Sequence, residues 1–150
     1  MPSLIAGKVV AATAFWNAEG VTLRQRGVKI HELRVDDFGA PRYPELVLAT
    51  KRATLEKKRD LIEHTLAALG AGARAALADE DLALQPLTSA SGADPALVRA
   101  ELRAVRPVLS PTLKLNRAAL EGWAAFDQRF GILERRPDVA KVFDLSLSGS

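Results

Sequence analysis

Apolar residues come in short runs over the first third of the chain and at helical spacing through the rest. Val9 to Ala14 is a short apolar run of the kind that forms a buried strand. Asn17 to Gln25 then reads as a helix ended by Gly27, and Leu4 to Gly7 as the last turn of another, with Gly7 as its stop. Val28, Ile30, Leu33 and Val35 alternate for the most part with polar positions, which predicts a second strand over 28–35. Asp36 to Pro44 carries the Asp, Gly and Pro of a loop. Leu46, Val47 and Leu48 are apolar in succession, as in a strand covered on both faces, so 45–50 is the third.

From Arg52 onward the pattern is helical. Asp60 followed by Glu63 resembles a capping box, and Leu61, Ile62, Leu66, Leu69, Ala73 and Leu77 form one stripe beyond it. Gly70 and Gly72 weaken this helix by roughly 1 kcal/mol each relative to Ala, unless they serve close packing. Asp79 to Gln85 predicts a short helix stopped by Pro86, with Thr88 to Gly92 as a polar linker. Asp94-Pro95 is an N-cap followed by proline at the first helical position, with Leu97, Val98, Leu102 and Val105 on the buried side. Asn116 caps a helix whose apolar face is Leu120, Trp123, Ala124 and Phe126, Asp127 to Arg136 reads as its solvated end, and 137–143 is a last short helix. Leu145 to Ser150 is expected to fray.

These elements predict an α/β fold, three short strands early and several helices late. The length suits one domain, with a strand-rich part over 1–50 and a helical part over 51–144. A free-standing doubly wound domain interleaves strands and helices more evenly, so the imbalance points to one part of something larger.

Composition adds exclusions. Aromatics make up only 5% of the chain, so one outside a core stripe carries information. A net charge of +3, with basic residues spread among 18 acids, lacks the concentrated basic face of a nucleic-acid binder. The densest basic run, Lys51 to Arg59, contains Glu56 and reads as a solvated helix face. With no cysteine there is no disulfide framework, thiolate metal site or Cys nucleophile. Met1 to Gly7 has neither the basic start nor the apolar stretch of a signal peptide, and no segment approaches a membrane span.

The candidate chemistry sits in Phe15-Trp16-Asn17-Ala18-Glu19-Gly20, where the first expected strand turns into a helix. Open α/β sheets place ligands at such junctions. The alternative is that Phe15 and Trp16 are core and Glu19 is a solvated first-turn carboxylate favoured by the helix dipole. Other residues offer less. His31 and Glu32 are strand neighbours facing opposite ways, and His64 has only Asp60 on its face, short of a metal set. Asp36-Asp37 before Phe38-Gly39 is turn chemistry, Trp123 is core, and neither a nucleophile elbow nor a Gly-rich phosphate loop occurs.

Several segments, in order, resemble the C-terminal half of solute-binding proteins of the thiamine-pyrimidine-precursor family, type II periplasmic-binding-protein relatives that serve ABC importers. They are Ala6-Gly7-Lys8-Val9 leading to 11–21; Arg34-Val35-Asp36-Asp37-Phe38-Gly39; 43–50; and Gly122-Trp123 with Phe130-Gly131-Ile132-Leu133 and Pro137-Asp138-Val139. Val10 departs from the acidic residue expected after the Gly-Lys-Val turn. The resemblance implies half of a two-lobed fold, an extracytoplasmic setting, an ABC transporter permease as partner and an aminopyrimidine as ligand, with no cofactor. It also implies that apolar surface after Arg52 is covered by an N-terminal lobe supplied separately, by a second copy, or by altered packing of the same helices.

An aminopyrimidine has a flat π face, accepting ring nitrogens and a donating amine. By resemblance Trp16 stacks on the face, worth roughly 0.5–1.5 kcal/mol beyond burial, Glu19 accepts from the amine, and Asn17 pairs with the ring edge. Tyr43 is a second aromatic candidate. Two alternatives stand beside this non-catalytic reading. One is a pyrimidine-precursor synthase, although such relatives carry a cysteine-rich motif and a functional histidine, where this chain has no Cys and two His. The other is a truncated fragment that self-associates without binding ligand.

Overall fold

A computed structural model describes residues 1–147. The helices are α1 (Pro2–Ile5), α2 (Glu19–Gln25), α3 (Arg52–Lys57), α4 (Arg59–Ala78), α5 (Glu80–Ser91), α6 (Pro95–Val105), α7 (Arg117–Arg129) and α8 (Val139–Val142), with a 3-10 turn at Val35–Phe38. No strand or sheet occurs among the described residues. The expected α/β class, with strands over 9–14, 28–35 and 45–50, is therefore corrected to an α-helical one. A strand is stable only when its N–H and C=O groups meet a neighbouring strand and its apolar faces are covered. Here neither condition holds: Val10 is 103% exposed and Leu46 89%. The short-range pattern of a strand is present and its partners are not.

The chain divides into two compact units. Met1–Leu33 with Arg74–Leu109 forms one, and Arg34–Ala73 with the residues from Ser110 onward forms the other, so the boundary falls within α4.

In the first unit α6 packs on both α2 and α5. Asp94 caps α6, its carboxylate accepting from the N–H groups of Ala96 at 2.9 Å and Leu97 at 3.2 Å, ahead of Pro95 at the first position. Val98 and Leu102, one turn apart, are buried with Val21 and Leu23 of α2 and Ala83 of α5. Asp79 caps α5 by accepting from the Leu82 N–H. That helix runs through Pro86 to Ser91 rather than stopping at the proline, and so absorbs the expected polar linker. Pro86 is exposed, and the carbonyl of Thr88 accepts the N–H of Gly92, whose φ of 66° ends the helix.

Charge joins α5 to α6. Glu80 accepts from Arg99 at 2.6 Å and from Arg103 at 3.0 Å, and Arg99 also reaches Asp81 at 2.7 Å. The guanidinium of Arg103, then that of Arg99, holds the Glu80 carboxyl below its ordinary range. Arg106 donates to the carbonyl of Leu77, satisfying an otherwise orphaned acceptor in the last turn of α4.

In the second unit Asn116 caps α7 through the Ala119 N–H, and Asp138 caps α8 through the Ala140 N–H. These caps aim Leu120, Ala124 and Val139 at one another, with Leu115, Phe143 and Leu145 packed around them. Along α7 runs a row of rings. Tyr43 stacks on Trp123 at 4.2 Å, Trp123 on Phe126 at 5.2 Å, and Phe126 meets Phe130 at 4.5 Å. Asp60 lies in the first turn of α4 and does not cap it, and of its expected stripe Ile62 is buried whereas Leu61 and Leu69 are exposed. The expected fraying covers 148–150, outside the described residues. Within them it is corrected at Leu145, which packs on the core, and at Ser146, which donates to Asp144 and accepts from Arg59.

Candidate functional site

Phe15 to Gly20 is a tight turn closed by its own backbone. The Phe15 carbonyl accepts the N–H groups of Ala18 at 3.2 Å and Gly20 at 3.0 Å. Its N–H donates to the Glu19 carboxylate at 2.9 Å, a bond that closes the turn from the other side. That bond, followed by one from Glu19's own backbone N–H, lowers the Glu19 pKa from its usual 4.5. At neutral pH the group is an ionised, acceptor-only carboxylate.

Helix α2 anchors the turn. Val21 and Leu23 are buried, and the helix closes in a Schellman motif: the Val28 N–H donates to the Leu23 carbonyl and the Gly27 N–H to the Arg24 carbonyl, with Gly27 at φ 70°. Gln25 donates to the Ala96 carbonyl on α6 at 3.1 Å. The turn is thus mounted on a helix packed into the first unit.

The sequence-derived candidates divide between the two units. Trp16 is 42% exposed. Asn17 is half-buried, and its Oδ1 is buried without a hydrogen-bond partner among the described residues. A buried acceptor without a donor is costly. Trp16, Asn17 and Glu19 therefore share one turn. Tyr43 belongs to the second unit, where one ring face is taken up by Trp123.

Two residues absent from the sequence-level set touch this turn. Arg24 donates from Nη2 to the Trp16 carbonyl at 3.2 Å and pairs through Nη1 with Glu32. The available signal was spacing, since Arg24 lies one helical turn beyond Gly20. Glu32 carried no local signal, because its approach depends on the chain reversal at Gly27.

The remaining candidates have structural partners. Asp36 accepts from Arg34 at 3.0 Å and Arg42 at 3.1 Å, which pins the 3-10 turn, and the Arg34 guanidinium lowers its pKa. His64 sets Nδ1 2.7 Å from the Asp60 carbonyl oxygen. No group of three or more His, Cys, Asp or Glu residues suited to a metal ion occurs among the described residues. No helix there is long and apolar enough to cross a membrane. An open groove of about 640 Å³ lies over Leu84, Pro95, Ala96 and Ala100, with Gln25, Arg99 and Arg103 at its edge. Both guanidiniums are already engaged by Glu80, so it offers no unpaired charge there.

The family described as NMT1/THI5 like matches residues 1–83, more than half of the 150, and the matched stretch contains the whole Phe15 to Gly20 turn. No curated protein and no solved structure matches the chain. This family is the thiamine-pyrimidine-precursor type of solute-binding protein that the ordered segments resemble. The chain belongs to the NMT1/THI5-like family.

Proposed function

We propose that the chain is the ligand-contacting part of a non-catalytic solute-binding protein that takes up a thiamine pyrimidine precursor for an ABC importer. The observation that carries this reading is the composition of one turn. An exposed indole, a buried amide oxygen without a donor and an ionised carboxylate lie within four residues, inside the family-matched stretch. An aminopyrimidine complements all three. Its π face lies on Trp16, its exocyclic amine donates to the Glu19 oxygen not engaged by Phe15, and its polar edge pairs with the Asn17 amide once that side chain turns outward. Affinity comes from stacking and a few hydrogen bonds, with no bond made or broken.

Titration calorimetry with 4-aminopyrimidine tests this. Trp16→Ala is expected to weaken binding about tenfold, the loss of one aromatic stack of up to about 1.5 kcal/mol. Glu19→Ala is expected to weaken it further, because it removes the acceptor and the bond that closes the turn. Heat of binding that survives both substitutions unchanged refutes the assignment.

A further inference from the structure

Gly20 is the second residue of α2, where glycine is a poorer helix former than alanine and no positive φ requires it. Space explains its presence. A Cβ built at Gly20 would lie 2.7 Å from Oε1 of Glu32 and 3.3 Å from Nη1 of Arg24. The missing methyl therefore lets the Glu32 carboxylate settle against the helix. There it meets the guanidinium of Arg24, one helical turn further along the same face.

Arg24 then has two engagements on one rigid fork, Nη1 on Glu32 and Nη2 on the carbonyl of Trp16. Those partners lie eight residues before and eight after it, on the turn and on the segment beyond Gly27. The internal bonds of the turn all close on Phe15, through its carbonyl and its N–H. Arg24 is the tether on the next residue, Trp16. Lysine, a point charge on a flexible stem, does not reproduce a fork that donates in two fixed directions.

We propose that Arg24 is a positioning residue for the Trp16 turn, seated by Glu32 in the space that Gly20 leaves open. It touches no ligand. It raises the fraction of molecules in which the indole is presented in the binding orientation, and apparent affinity scales with that fraction. The proposal rests on the reading of the Trp16 turn as the ligand contact, and part of its test is independent of that reading.

The decisive variant is Gly20→Ala, which changes no charge and improves helix propensity. A purely structural account predicts an unchanged or more stable protein with unchanged binding. The clasp predicts that the new methyl displaces the tip of the Glu32 carboxylate and disturbs its pairing with Arg24. Affinity for 4-aminopyrimidine is then expected to fall about fivefold, the upper end for one exposed ion pair, with no fall in the urea midpoint. Arg24→Lys should act in the same direction. Gly20→Ala combined with Glu32→Asp retracts the carboxylate by one methylene and is expected to restore affinity.

A ligand-free readout accompanies these measurements. With 5-fluorotryptophan incorporated, the ¹⁹F resonance of Trp16 should move in Gly20→Ala and Arg24→Lys and return in the double variant. The Trp123 resonance, from the other unit, should stay in place. If the protein binds no 4-aminopyrimidine yet the Trp16 resonance moves and returns, the clasp stands and the ligand assignment falls. A Trp16 resonance that Arg24→Lys leaves unmoved overturns the clasp, whatever the ligand.

Discussion

Truncating Trp123 to Ala removes the middle of the aromatic row in the second unit. Its ring is stacked on Tyr43 at 4.2 Å and 28° and on Phe126 at 5.2 Å and 20°, so the substitution ends two stacked contacts. Each such pair contributes roughly 0.5–1.5 kcal/mol beyond area, together about 1–3 kcal/mol. A fully buried Trp or Phe cut to Ala costs about 3–5 kcal/mol in all, and Trp123 is half-buried, which places the expected loss near 3 kcal/mol. The neighbouring loop is affected as well. Pro41 lies 3.7 Å from where a Gly122 Cβ would stand, so the backbone before Tyr43 rides on the same helix. Urea unfolding followed by far-UV circular dichroism should show a midpoint lower by about 1.5 M, for a slope near 2 kcal/mol per M. Trp123→Phe keeps a ring between the neighbours and is expected to lose less than 1.5 kcal/mol. The reasoning is checked most sharply by a cycle with Tyr43→Ala, which should return a coupling of about 1 kcal/mol. A coupling within 0.3 kcal/mol of zero, about the error of such cycles, would refute the stack as a source of stability.

Asp94→Ala removes the acceptor for two first-turn N–H groups of α6 and is expected to cost about 1 kcal/mol, read from the urea midpoint, whereas Asp94→Asn should restore most of it. Acid should loosen both units. The Glu19, Glu80, Asp36 and Asp144 carboxyls all lie below their ordinary values, for Asp144 chiefly because the Ser146 hydroxyl donates to it. A depressed folded pKa contributes stability that is present above the unfolded value and lost as pH falls through the folded one. The midpoint should therefore be flat with respect to these groups above the unfolded values of 4.5 for Glu and 3.8 for Asp, and should decline progressively below them. A midpoint that rises on acidification through that window contradicts the assignment of these contacts.

The features that could be read from sequence are those whose cause is local. Asp94-Pro95, Asn116 and the Gly27 stop behave as their neighbours dictate, because a cap needs only N–H groups two or three residues away. The strands failed for the converse reason: a run such as Leu46-Val47-Leu48 states what a strand would bury and says nothing of what pairs with it. Pro86 does not end α5, because the hydrogen bond it forgoes is one loss in a twelve-residue helix held by its Asp79 cap and its buried Ala83. At the site, the aromatic, amide and carboxylate of one turn were visible as residue types. The orphaned Asn17 oxygen and the Phe15–Glu19 closure were not, since both depend on how the backbone folds over itself. Tyr43 was separated from its stacking partner by 80 residues, beyond any periodicity.

The interleaved chain path of the two units has a consequence for synthesis. Residues 1–33 emerge first, yet the helix on which α2 packs, Pro95–Val105, comes some 70 residues later. At about 5–20 residues per second, the Trp16 turn waits roughly 4–14 s on the ribosome before its support exists. During that interval Val21 and Leu23 are without their burial partners, and the intervening residues 34–73 belong to a unit that is itself incomplete until 110 and beyond are made. The first unit has all of its residues once 109 is made, and the second only when those from 110 onward follow. The segment that carries the Trp16 turn is thus without the helix that seats it until Pro95–Val105 has been made.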